Sequence, residues 1–407
     1  MLAFFHRVAP GAIATDLRSE FHASATMLGF IAAFYFYPYA AMQLPSGVLA
    51  DSIGPRRLFT GGSLVAGAGS LLFAFAADVG WLLAGRALVG LGVAVAFISV
   101  LKLIASWYTE REFATWVGVL QLAGNLGGTL GAWPLAWLVE RISWREVFAG
   151  AGVVSIVLAA CIWLWVRDTP ADAGLHRPGE RAGAGAQPAA GASGAWLRGL
   201  AQVSSNGQTW LAFIVLFGLI GSYLTFSGLW AVPYLTDALG MSRELATLHV
   251  TVMILGFAFG APAAGLLSDR IGLRVLPLRV LAVLYLACWL PWVMGWSLPF
   301  WASMCVFAGM GLGIAGAVTC WAVAKENNPP ALSGTATSLV NSGGFLAVAL
   351  LQPAVGWIID QRAGAPALDA YRSAAGVLAL VALAGVLAAF WLRETRGRNI
   401  YLERGRN

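Results

Sequence analysis

Charge is scarce in this chain: Asp, Glu, Lys and Arg make up 11% of its 407 residues, and 59% are hydrophobic. A soluble domain carries about 25% charged residues and needs them to cover its surface. The shortage therefore excludes a water-soluble globular protein and puts the chain in a bilayer. Carboxylates are scarcer still at membrane depth, where every one of the 19 acids falls in a loop or at the end of an apolar stretch. Cysteine is limited to Cys161, Cys288, Cys305 and Cys320, all inside apolar stretches and without paired spacing, so neither a disulfide frame nor a zinc site is indicated. No nucleophile–base set, metal cluster, nucleotide loop or cleavable signal peptide stands out, so an enzyme, a resident metal and a cofactor are not expected.

Long apolar runs take their place. Crossing the hydrocarbon core takes about 20 mainly apolar residues. Cutting at charge and turn clusters gives six spans at 1–17, 25–50, 58–77, 81–106, 113–138 and 146–166, then six at 208–235, 244–267, 275–296, 299–323, 331–358 and 371–392. Residues 1–166 read as one six-helix bundle and 208–392 as a second. Between them, 167–207 is Gly-, Ala- and Pro-rich and reads as a flexible cytoplasmic linker, with 393–407 as a tail. An even number of spans puts both termini on one side. Sixteen Lys and Arg, from Arg56 to Arg406, lie on that side and six, from Arg18 to Arg372, on the other. The positive-inside bias makes the first side cytoplasmic, in a bacterial-type inner membrane. In a membrane chain the net charge of +6 expresses this bias and not nucleic-acid binding.

One pattern occurs twice. Gly47-Val-Leu-Ala-Asp51-Ser-Ile-Gly54-Pro-Arg56, followed by Arg57, returns 218 positions later as Gly265-Leu-Leu-Ser-Asp269-Arg270-Ile-Gly272-Leu-Arg274. A repeat at fixed offset makes the chain a duplicated half-protein, and repeated membrane bundles point to a transporter. The pattern resembles the signature loop of the major facilitator superfamily, with Ser52 where that family usually has a basic residue. The resemblance implies two pseudo-symmetric six-helix bundles that rock about a central cavity. It also implies that the acid latches the halves together in the outward-facing state. Gly47 and Gly265 read as sites of close helix approach, and Arg56, Arg57 and Arg274 as cytoplasmic anchors. The set forms a conformational switch and not a substrate site.

Further glycines support packing. In span five, Gly124, Gly127, Gly128 and Gly131 share faces suited to helix contact, echoing an antiporter motif but with Asn125 in place of its Pro. Gly311-Leu-Gly-Ile-Ala-Gly316 fits a dinucleotide fingerprint by letters, yet lies inside a span with no preceding strand and reads as helix packing.

Only Arg7, Arg86 and Lys102 place a cation inside a span. Such a charge costs about 2.5–3.5 kcal/mol on insertion scales and by default signals function. Cations with no internal carboxylate favour an anionic ligand, gripped by two parallel hydrogen bonds from a guanidinium. Lys102 lies sixteen residues after Arg86, about 160° round the helix and roughly 24 Å nearer the cytoplasm, where it can snorkel. Arg86, in Arg86-Ala-Leu-Val-Gly90-Leu-Gly92, resembles a second signature of the superfamily. It either meets substrate or pairs with backbone carbonyls.

Span one is short. Shifted by the repeat offset, the start of span seven at Gln208 falls ten residues before Met1, so the helix reads as truncated: either translation starts upstream or the chain is cut short. With it restored, His6 and Arg7 sit near mid-membrane. The run His6-Arg7-Val-Ala-Pro10, with Phe34-Tyr35-Phe-Tyr-Pro-Tyr39, resembles the anion:cation symporter branch. There an acid precedes the span-one Arg and another follows the span-four Arg by seven positions; here His6 and Val93 stand in those places. His6 either carries a proton or hydrogen-bonds a neighbouring helix. Polar groups expected in the cavity are Gln121 and Asn125, four apart on one face, and Asn341 and Gln352, whose directions differ by about 20°. Tyr35, Tyr39, Trp230 and Tyr234 are expected either as its aromatic walls or as interfacial anchors.

The expected function is secondary transport of a small organic anion by alternating access, in symport with protons. The expected partners are that substrate, the proton and the lipid bilayer, with no nucleic acid and the chain as a monomer. Two alternatives stand: an exporter working by proton antiport, and a membrane sensor that binds a ligand without moving it.

Overall fold

The computed structural model describes residues 1–174 and 195–404, without the side chains at positions 110, 111, 113, 114, 195, 196, 403 and 404. Positions 175–194 of the expected linker and the last three residues of the expected tail, with Arg177, Arg181 and Arg406, lie outside the described residues.

The fold is all-helical among the described residues, and a helix or a broken pair of helices stands at each of the twelve expected spans. Nine are long and apolar enough to cross a membrane, and a tenth is span two, Ala25–Ala41 with Pro45–Ile53, bent by 60°. Pro45 at the first turn of the second piece explains the bend, because proline starts a helix well and cannot continue one. Spans one and five are broken as well. Leu2–Ala12 ends just past Pro10 and resumes as Ala14–Phe21. Glu110–Leu130 stops at Gly131 before Trp133–Val139, where Pro134 sits in the first turn. Span seven stays continuous but passes through two π-helical turns, Phe226–Trp230 and Tyr234–Ala238.

Glycines set how closely the helices approach. A Cβ on Gly90 would lie 2.0 Å from the carbonyl oxygen of Tyr35, and one on Gly92 would lie 2.3 Å from that of Gly62. Span four is thereby pressed against spans two and three. The span-five glycines dock on span one, since a Cβ on Gly127 would meet the Met1 carbonyl oxygen at 2.1 Å. Gly311 does the same for spans ten and eight, 2.1 Å from the Met253 carbonyl oxygen. Its apparent nucleotide fingerprint is a packing seam.

The duplicated halves close their span-three turns alike. The Asp168 carboxylate accepts from the Arg56 backbone N–H at 2.6 Å, and Glu394 accepts from the Arg274 N–H at 2.6 Å and the Val275 N–H at 2.9 Å. Both acids sit at a helix N-terminus, where the dipole favours negative charge. Burial pushes the Glu394 pKa up, but the N–H groups of Arg274, Val275, Arg396 and Leu276 outweigh it and hold the carboxyl below its ordinary value.

The two ends of the molecule differ. Away from the repeated loops the halves are sealed. Asp360 caps span two, accepting from the N–H groups of Ala25 (2.9 Å) and Thr26 (2.8 Å) and from the Thr26 hydroxyl (2.6 Å). Arg18 reaches Asp237 at 2.9 Å, and Arg243 pairs with Asp16 and donates to the Ala12 carbonyl. A Cβ on Gly29 would meet the Gln352 carbonyl oxygen at 2.4 Å. At the loop end a Cβ on Gly47 or Gly265 would meet nothing within 4 Å, so the close approach expected there is not made in this conformation.

Gly90→Ala is accordingly expected to destabilise the protein by about 1–3 kcal/mol, the usual cost of overpacking. Gly47→Ala is expected to leave stability unchanged. Thermal unfolding of the two variants in detergent checks this, and equal midpoints would contradict the packing argument.

Candidate functional site

A cavity of about 530 Å³ lies between the halves. Phe4 and Arg7 of span one, Tyr39 of span two, Gln121 and Asn125 of span five, and Asn341 and Phe345 of span eleven all line it. Toward the loop end its walls continue through Phe59, Phe97, Val100 and Trp321. The volume is that of a small-molecule site.

Arg7 is held from behind. Its Nε donates to the Tyr35 hydroxyl at 3.3 Å, which donates in turn to the Ala3 carbonyl at 3.0 Å. Its guanidinium carbon stands 4.5 Å from the Phe4 ring centre, 4.8 Å from Tyr39 and 5.1 Å from Phe345. Three ring faces stabilise the cation and keep water from it. Neither terminal nitrogen, Nη1 or Nη2, donates to a carbonyl or carboxylate among the described residues, so the two-pronged end is left for a ligand.

The amides of Gln121 and Asn125 face the same space and make no side-chain hydrogen bond among the described residues, which leaves donors and acceptors for a ligand. Asn341 also lines the cavity, but its amide nitrogen is engaged across the halves by Gln43 Oε1 at 2.8 Å. Ser63, Ser155, Tyr223 and Ser227 add to the neutral polar lining.

Several expected site residues lie elsewhere. Arg86 is 1% exposed and does not line the cavity. Its guanidinium donates to the carbonyls of His6 (2.7 Å), Ile31 (3.0 Å) and Ala32 (3.3 Å), the contacts that the backbone reading calls for. His6 is packed against Phe5 and Phe148, ring centres 5.4 and 5.6 Å away. Among the described residues neither ring nitrogen has a hydrogen-bond partner, and the ring does not line the cavity. Residues at successive helical positions point about 100° apart, which turns His6 into the bundle when Arg7 faces the cavity. Tyr35 is wholly buried and serves Arg7 from behind instead of walling the cavity.

Gln352 shares the direction of Asn341, but eleven residues of rise carry it into the sealed end. There it is fully buried and donates to the Thr225 carbonyl at 3.3 Å. Trp230 is buried in the same sealed region, one turn past the cavity-lining Ser227. Phe4 and Phe345 were not expected, although spacing could have found them: Phe4 is three residues before Arg7, and Phe345 is four after Asn341. Trp321 gave no such signal. His249 lies outside the cavity, between the Leu245 carbonyl at 2.6 Å and the Ser303 hydroxyl at 2.8 Å.

In the repeated loops both acids are engaged within their own half. Asp51 pairs with Lys102, which also donates to the Gly47 carbonyl at 3.2 Å, and Asp269 pairs with Arg274. Lys102 thus extends to the loop end as expected, and finds a carboxylate there. Arg274 reaches Glu326 as well, at 3.3 Å. Arg56 lies over the Trp163 ring at 4.5 Å, while Arg57 and Arg270 are exposed. With the loop end parted, neither acid crosses between halves. Gly54 and Gly272 take φ of +89° and +66°, left-handed turns that favour glycine.

If Arg86 serves structure, Arg86→Lys should lower the unfolding temperature in detergent, since one ammonium cannot satisfy three diverging carbonyls and each acceptor left bare costs about 1–3 kcal/mol. An unchanged midpoint with lost ligand binding would return Arg86 to the cavity.

Comparison with known proteins gives the chain its family. A probable sulfoacetate transporter of Cupriavidus necator is 30% identical over 290 residues, 69% of this chain and 64% of that protein. A probable galactarate/D-glucarate transporter of Escherichia coli is 25% identical over 91% of this chain and 88% of its own length. The chain therefore spans under two thirds of the first relative and most of the second. Among solved structures, a D-xylose–proton symporter superposes over 98% of this chain and 96% of its own, with a TM-score of 0.73 at 16% identity, a likeness of fold. The family profile described as Major Facilitator Superfamily matches residues 1–350 and again 216–405. The chain is a multi-pass membrane protein of the Major Facilitator Superfamily, a family of transporters and not of enzymes.

Proposed function

We propose that this chain is a secondary transporter of a small organic anion, taken up across the bacterial inner membrane in symport with protons. The observation that carries the proposal is Arg7: a cation on the cavity wall whose terminal nitrogens meet no carboxylate among the described residues, ringed by Phe4, Tyr39 and Phe345. A guanidinium in such a site recognises a carboxylate or sulfonate through two parallel hydrogen bonds. The names of the relatives, for sulfoacetate and for galactarate and glucarate, support the same ligand chemistry.

Electrostatics supports symport. Moving one negative charge inward against a negative-inside potential costs about 2.3 kcal/mol per 100 mV, and a proton carried with it removes that cost. With His6 packed behind Phe5 and Phe148, the carboxylate assigned to the proton route is Asp360, which joins the halves through Ala25 and Thr26. Loss of its charge would weaken those bonds and favour opening at that end. With the termini cytoplasmic and one chain as the working unit, the present conformation faces inward, and the Gly47–Arg57 and Gly265–Arg274 loops act as the conformational switch that closes its loop end.

Two measurements test this reading. In proteoliposomes, uptake of a hexuronate or sulfonate should rise with an inward proton gradient and fall about 10-fold or more in Arg7→Ala. Normal uptake by Arg7→Ala removes the anion grip, and indifference to the gradient removes proton coupling. In a background free of native cysteines, labelling of Gln352→Cys by a membrane-impermeant thiol reagent from the sealed side should quicken when Asp360→Asn is added. Unaltered labelling would dismiss Asp360 as part of the seal.

A further inference from the structure

We infer that the seam between spans nine and twelve, on the outside of the second bundle, binds one phospholipid with a zwitterionic headgroup that carries a primary ammonium, as phosphatidylethanolamine does. The site lies toward the sealed end and shares no lining residue with the cavity between the halves.

A break in span nine opens the seam. Val275–Ala287 stops before Cys288 and Trp289, and Leu290–Met294 resumes with Pro291 in its first turn. Beside the break lies a groove of about 450 Å³, lined by Trp289, Leu290 and Val293 on one side and by Gly376, Leu380 and Leu383 on the other. Gly376 supplies room on span twelve, since a Cβ there would meet nothing within 4 Å. From Gly376 to Leu383 the groove runs about 10 Å along the helix at 1.5 Å rise per residue. Leu290, Leu380 and Leu387 are exposed, so the groove opens on the surface that meets lipid tails.

An apolar groove by itself selects no lipid, because tails are as apolar as leucine. Selection comes from its polar end, where Arg372 stands one turn before Gly376. The stem of Arg372 crosses Gly295, on which a Cβ would lie 2.5 Å from Arg372 Cδ, and its Nε donates to the Val293 carbonyl at 3.2 Å. The guanidinium is thereby held over the end of the groove that Val293 and Gly376 line. Its Nη1 stands 3.4 Å from Asp369 Oδ1, and the two side chains are 40% and 49% exposed. So long and exposed a pair is weak, and both charges stay open to a ligand. Trp296 and Trp301, exposed at the same end, mark the level of the headgroups. A cation and an anion side by side match a headgroup that carries both. Its phosphate takes the Arg372 guanidinium and its ammonium donates to Asp369, while one acyl chain lies in the groove. Phosphatidylglycerol brings no cation to answer Asp369, and the quaternary ammonium of phosphatidylcholine has no N–H to donate.

The test is native mass spectrometry of the purified full chain in detergent, titrated with phosphatidylethanolamine, phosphatidylglycerol or phosphatidylcholine of the same acyl chains. The first phosphatidylethanolamine should bind at least about tenfold more tightly than the first molecule of either other lipid, the scale of one charge-assisted hydrogen bond. Asp369→Asn should erase that preference, and Arg372→Gln should weaken the first binding step for all three lipids. Gly376→Leu fills the groove without touching the charged pair, and should weaken the first phosphatidylethanolamine about tenfold. Equal affinities for the three lipids in the unmodified protein would overturn the inference, as would a preference for phosphatidylglycerol or phosphatidylcholine. Phosphatidylethanolamine bound as tightly by Arg372→Gln and by Gly376→Leu as by the unmodified protein would put the lipid elsewhere on the surface and overturn it as well.

Discussion

A guanidinium buried among helices without a carboxylate has to satisfy its N–H groups on backbone, and that requirement organises the first half of this protein. Arg86 of span four donates to span one at His6 and to span two at Ile31 and Ala32. Its guanidinium carbon also stands 4.9 Å from the Tyr35 ring centre. Charge-assisted bonds of this kind are worth about 1.5–3 kcal/mol each. Together they tie three helices at one depth. Gly90, one turn further along span four, allows the contact, because any side chain there would strike the Tyr35 carbonyl. The cavity's own cation depends on this knot. The carbonyl that Arg86 holds belongs to His6, next to Arg7, and the ring it faces belongs to Tyr35, whose hydroxyl accepts from Arg7 Nε.

The two intramembrane arginines therefore divide the work between them. One is tied to backbone by three hydrogen bonds, and the other is oriented by the hydroxyls of Tyr35 and Tyr39 and by three rings on the cavity wall. The division is physical and not chemical in origin. The residue type is the same, and only the number of carbonyls within reach differs.

A second asymmetry runs along the membrane normal. At the sealed end the halves meet through Asp360 on the first turn of span two, through Arg18–Asp237 and through Arg243–Asp16. At the loop end each half closes on itself, with Asp51 on Lys102 and Asp269 on Arg274. Broken helices mark the seam: spans one, two and five bend at prolines and glycines beside the cavity or at its mouth. Irregular backbone at membrane depth is tolerated only where protein or a cavity satisfies it. Opening one end while closing the other exchanges one set of ionic contacts for another, which is the economy of a rocking two-bundle fold.

Much of this architecture was legible without coordinates. The apolar runs, the 218-residue repeat and the positive-inside bias rest on solvent and period, which act residue by residue, and they led to twelve spans, two bundles and the family. The repeat offset drew Arg7 to mid-membrane and helical spacing paired Gln121 with Asn125 on one face; in the structure these residues line one cavity with Asn341 and Tyr39. The sequence could not apportion the remaining polar residues. Arg86, His6 and Gln352 look like cavity groups because each is polar and lies at membrane depth. Whether such a side chain meets a ligand or a carbonyl depends on which backbone atoms of other helices come within about 3 Å of it. That is a property of helix rotation and depth, set by glycine contacts such as Gly90 on Tyr35 and Gly127 on Met1. Composition and period determined the solvent, the repeat and the family; only the packing of helices distant in sequence decided which cation faces the cavity.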